Sequence, residues 1–74
     1  MESIHAQGIY KHYKGNYYIV LGIGTHFETG EELVVYTPLK DRNKIWVRPL
    51  KMFLEVVNMD GVFVNRFTYA RQAL

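Results

Sequence analysis

Apolar residues along this chain come in short runs closed by glycine, proline or charge: GIYKHYKG, NYYIVLGIG, ELVVYTPL, KIWVRPL and VFVNRF. The runs are rich in β-branched and aromatic residues. None repeats its apolar positions at helical spacing, so the pattern predicts a small all-β unit. Strands are expected over 8–13, 17–27, 31–37 and 44–48, then a hairpin of 56–59 with 62–67. Gly15 serves a first turn and Gly30 the left-handed position of a second. Pro38 and Pro49 end strands because they have no N–H to donate. Asp60-Gly61 is a two-residue hairpin signal. Residues 50–54 read as one helical or 3₁₀ turn that plugs the end of a barrel. Residues 1–7 are expected as a loose leader and 70–74 as a frayed or briefly helical tail.

These elements fit a small SH3-like barrel or roll of five or six antiparallel strands with one short helical turn. Closure removes exposed sheet edges. The length of 74 residues allows a single domain, with an ordered core over 8–69. So small a domain has a thin stability margin. With no cysteine, disulfides and thiolate zinc sites are excluded. Aromatics at 15% of the chain are the substitute, since each buries far more area than an aliphatic residue.

Nine basic and seven acidic residues give a net charge of +2 and are interspersed. The one local excess is Lys40, Arg42, Lys44, Arg48 and Lys51, broken only by Asp41, and it reads as a solvated loop rather than a phosphate-binding face. The N-terminal residues lack the basic and apolar regions of a signal peptide. The apolar run from Tyr17 to Ile23 is too short to cross a bilayer. A cytoplasmic protein with no membrane contact is expected, in keeping with the absence of cysteine.

The words GIYKHYKGNYYIVLGI, HFETGEELVVY, WVRPLKMF and VFVNRF, in that order, resemble the bacterial domain of unknown function 1653 family. The resemblance runs from Gly8 to Tyr69. Gly24 stands where that family often has alanine, and Ile19 where it often has a polar residue. The resemblance implies an SH3-type barrel and brings no activity with it.

Strand register suggests where a site would lie. With Asp41 at the centre of the hairpin between the third and fourth strands, Val35 faces Val47, Tyr36 faces Trp46 and Val34 faces Arg48. With Thr29 at the centre of the preceding hairpin, Ile23 faces Val35, Gly22 faces Tyr36, Gly24 faces Val34 and His26 faces Glu32. Alternation then gathers Leu21, Ile23, Leu33, Val35, Ile45 and Val47 on one face, expected as the core. Gly22, Tyr36, Trp46, Gly24, Val34 and Arg48 share the other. Tyr36 and Trp46 would form a shelf flanked by Arg48, suited to stacking and to forked contact with phosphate or carboxylate. The structural alternative is that the rings shield the two glycines, or that the first strand or last hairpin covers Trp46. A bulge near Val20 would exchange the faces for part of the second strand.

His12 and His26 sit on strands, but no spacing of ligands suggests a metal or another cofactor. The one serine, Ser3, lies in the leader, and there is no glycine-rich phosphate loop. An enzyme is not expected. The sequence points to a binding module for a peptide or nucleic acid that uses Tyr36, Trp46 and Arg48 with His12, Tyr13 and His26. The alternative is an assembly role, with the aromatic face packed on another copy or another protein.

Overall fold

The computed structural model describes residues 4–73. Met1, Glu2 and Ser3 of the expected leader and Leu74 of the expected tail lie outside the described residues. Among the described residues, seven strands and one helical turn follow in order: β1 (Gly8–His12), β2 (Tyr17–Thr25), β3 (Glu32–Pro38), β4 (Trp46–Pro49), α1 (Leu50–Phe53), β5 (Val56–Met59), β6 (Val62–Asn65) and β7 (Phe67–Gln72). The nearly all-β architecture and the single short helix agree with the sequence pattern. The strands do not close into a barrel. An antiparallel sheet of five, in the order β4-β3-β2-β1-β7, is joined by a separate ribbon of β5 and β6. The expected last strand divides at Arg66: β6 stays with the ribbon, while β7 crosses to pair with β1.

Both ends are tied to the sheet. The Gln7 N–H donates to the Val20 carbonyl, and the Ala73 N–H donates to the Gln7 carbonyl. Residues 70–72 continue β7 instead of fraying. At Gly8 the backbone passes so close to His5 that a Cβ would lie 2.8 Å from the His5 carbonyl oxygen. Only glycine permits that approach.

The β3–β4 register is as expected, with Val34, Val35 and Tyr36 opposite Arg48, Val47 and Trp46. The β2–β3 register is not. Gly22, Ile23, Gly24 and Thr25 pair with Val35, Val34, Leu33 and Glu32, one position from the expected partners. A bulge between Val20 and Gly22 then lets Val20 face Tyr36.

The assignment of faces is overturned. Val34 and Tyr36 point inward with Tyr10, Tyr18, Val20, Phe53 and Phe67. Ile45 and Val47 of the expected core are 61% and 54% exposed. Leu21, Leu33 and Val35 are half-buried, and Ile23 is exposed at 45%. The reason is volume. Phe53, carried by α1, and Phe67, at the start of β7, stack with ring centroids 4.0 Å apart. Each also meets Tyr36 edge-on at 5.6 Å. Rings delivered from distant segments outweigh the aliphatic face, since each aromatic pair adds about 0.5–1.5 kcal/mol beyond its buried area. A smaller aliphatic patch survives on the opposite face, where Ile9 faces Ile19 and Ile19 faces Thr37, all buried.

Candidate functional site

Tyr36 is 2% exposed, so it offers no shelf to a ligand. A buried phenol needs a partner, and the Arg48 Nε–H donates to the Tyr36 hydroxyl at 3.2 Å. Gly22 and Gly24 are not shielded by rings: a Cβ on Gly22 would meet nothing within 4 Å, and one on Gly24 would make ordinary contact with Val35.

Trp46 is different. It stands at the start of the edge strand β4, where no layer covers it fully, and it is 42% exposed. Its indole leans on Tyr18 at 5.9 Å and on Tyr36 at 6.2 Å between centroids. Beside it runs a groove of about 460 Å³ between the start of β2 and the β3–β4 loop. Tyr17, Tyr18, Trp46 and Pro38 give this groove flat apolar walls, and Lys40 and Lys44 bring positive charge to it. Tyr17 is 44% exposed, with the Lys11 ammonium 5.9 Å from its ring centroid. Asp41 also lines the groove, but its Oδ1 accepts the Asn43 N–H and is held within its own loop. The loop that sequence alone read as merely solvated thus forms one wall of a recess.

Arg48 and His12 meet elsewhere, around Phe67. The Arg48 guanidinium carbon lies 5.8 Å from the Phe67 ring centroid. His12 pairs with Phe67 across β1 and β7, its ring nearly perpendicular at 4.9 Å. The His12 Nδ1 accepts the Lys14 N–H at 3.2 Å, which leaves its proton on Nε2. Burial lowers the His12 pKa from its ordinary 6.5, and the positive charges of Arg48, Arg66 and Lys14 lower it further. Tyr13 follows, its ring 4.7 Å from that of His12 and its N–H bonded to the Arg66 carbonyl.

His26 belongs to the β2–β3 turn. Its Nδ1 accepts the N–H groups of Glu28 and Thr29, and Thr25 rather than His26 stands opposite Glu32. Among the described residues, no three His, Asp or Glu side chains are grouped to hold a metal. No helix among them is long and apolar enough to cross a membrane. The structure therefore sets Arg48 and His12 around Phe67 with Tyr13 against His12, places Trp46 at a separate groove, and leaves His26 apart. Sequence reasoning missed Tyr17 and Arg66. Tyr17 could have been flagged as one of two adjacent tyrosines on a strand, one of which must face outward.

An open antiparallel sheet, an aromatic interior and a ring-walled groove at one edge define a small β domain. The family model for proteins of unknown function, DUF1653, matches residues 8–69, and the chain belongs to that family. It is also similar to the crystal structure of a DUF1653 protein from Bordetella bronchiseptica, with a TM-score of 0.81 and 35% identity. That likeness covers 95% of this chain and 92% of the other. No curated protein matches the chain. Membership agrees with the sequence resemblance and brings no reaction with it.

Proposed function

We propose that the chain is a non-catalytic binding module for single-stranded nucleic acid, with the strand held in the groove beside Trp46. One observation carries this: two half-open rings, Trp46 and Tyr17, line the same groove as Lys40 and Lys44. Bases stack on exposed rings whatever their sequence, and lysines track the backbone charge. The lining offers rings, ammonium groups and one carboxylate engaged in its own loop, a set suited to holding a ligand rather than breaking bonds. Tyr36 serves from inside by supporting Trp46 and Arg48.

Trp46 is the sole tryptophan, so its fluorescence reports on this groove. Titration with a short oligothymidylate at low salt should quench it saturably, and the affinity should fall steeply as salt rises. Trp46→Leu should weaken binding by roughly tenfold or more, in line with about 1–3 kcal/mol per stacked base. No change in a folded sample, or a response to proline-rich peptide instead of oligonucleotide, overturns the reading.

A second reading, self-association, is favoured by the exposed Ile45 and Val47 at edge strand β4. Its occupant is a second copy of this chain, paired antiparallel along β4. Sedimentation should then show a dimer that Val47→Lys dissociates; a monomer at high concentration removes it.

A further inference from the structure

Phe67 lies at the centre of a cluster outside the groove. Its stacked partner Phe53 covers one face of the ring at 4.0 Å, so the Arg48 guanidinium takes the other. His12 stands beside the same ring. Arg48 is half-buried and spends its Nε–H on Tyr36, and among the described residues no carboxylate pairs with it. Its terminal nitrogens form a fork suited to two oxygens of one anion. His12, with Nδ1 occupied as an acceptor, keeps an N–H donor on Nε2. Arg66 gives Nη2 to Glu55 at 2.8 Å and Nε to the Met52 carbonyl at 3.1 Å. That leaves Nη1 and a share of positive charge. A half-buried, uncompensated guanidinium among other cations is costly unless an anion joins it.

We propose that Arg48 and His12, with Arg66 and Lys14 supplying field, form a receptor for a phosphate-type oxyanion on the outer face of Phe67. None of these residues lines the groove beside Trp46, so this anion site stands or falls separately from it. The guanidinium holds two oxygens and the imidazole donates to a third. Burial and, after it, these cations depress the His12 pKa; the anion offsets the cations, so the imidazole takes up a proton more readily once phosphate is bound. Glu55 is the nearby acid, and it is engaged by Arg66.

The test is an NMR titration of the whole chain with orthophosphate against chloride at matched ionic strength. Saturable shifts of the His12 ring and Arg48 Nε signals are expected, together with a His12 pKa that rises in phosphate and not in chloride. Arg48→Gln should weaken the affinity roughly tenfold or more, the scale of a charge-assisted hydrogen bond. His12→Gln should weaken it less and keeps the test open if the loss of the Arg48–Tyr36 bond unfolds the first variant. Thymidine 5′-monophosphate binding tighter than orthophosphate assigns a nucleotide phosphate; equal binding assigns the free anion. Trp46→Leu should leave phosphate binding unchanged. Identical responses to phosphate and chloride in the unmodified chain, or unaltered affinity in both variants, overturn the proposal.

Discussion

At the scale of single residues, small differences in position decide the role. Tyr36 and Trp46 face each other across one ladder, yet one is sealed in and the other is half open. Trp46 sits one strand nearer the edge, and that difference separates a support from a contact. His12 is defined by its neighbours in the same way. Its folded pKa lies below the ordinary 6.5, because burial and the charges of Arg48, Arg66 and Lys14 disfavour the imidazolium. Between the two values the unfolded chain binds more protons than the folded one, so stability rises with pH there. This contribution is complete above about pH 6.5 and is lost as pH falls toward the folded value. Urea unfolding across that range should show the slope in the parent chain and a flatter one in His12→Gln. Equal slopes would remove His12 from the account.

Among the elements, α1 has the least to hold it. Its four residues carry no side-chain cap, and a helix that short has no stability of its own. Phe53 fixes it, being 1% exposed and packed against Tyr10, Tyr36 and Phe67. Phe53→Ala should cost about 3–4 kcal/mol, a large fraction of what a domain this small possesses. The melting temperature should drop by roughly 15–25 °C on the scale for domains of this size. A drop of only a few degrees would mean that the ring cluster is not the core. β2 teaches a separate lesson. Its alternation was legible, and the turns at Gly30 and Asp60-Gly61 were legible from chemistry, with positive φ found at all three residues. The sequence marked Val20 as the place where a bulge would exchange the faces, and the bulge lies there, but nothing in VLGIG by itself decides that an extra residue leaves the ladder. The turn centres between Glu28 and Thr29 instead of on Thr29, which moves the partners of Gly22 to Thr25 by one, and the bulge moves those of Tyr18, Ile19 and Val20 by one more.

For the whole molecule, the inside of the sheet was set by residues that arrive late in the chain. Local pattern offered two faces, one aliphatic and one aromatic, and the ladder between β3 and β4 was readable residue by residue. What made the aromatic face the interior was Phe53 and Phe67 closing over it, a tertiary event that alternation does not encode. The candidate site was legible only as residue types, for the same reason. Trp46, Arg48 and His12 stood out as residue types, whereas the groove exists only because the start of β2 meets the β3–β4 loop. The account hangs on that groove being where ligand binds. Chemical-shift mapping with oligothymidylate tests it directly. Shifts are predicted at the Trp46 indole N–H and at the amides of Tyr17, Leu39 and Lys44, with Ile23 and Val62 unmoved. Shifts confined to the β5–β6 ribbon or to the outward face around Val47, with the indole signal fixed, would contradict it.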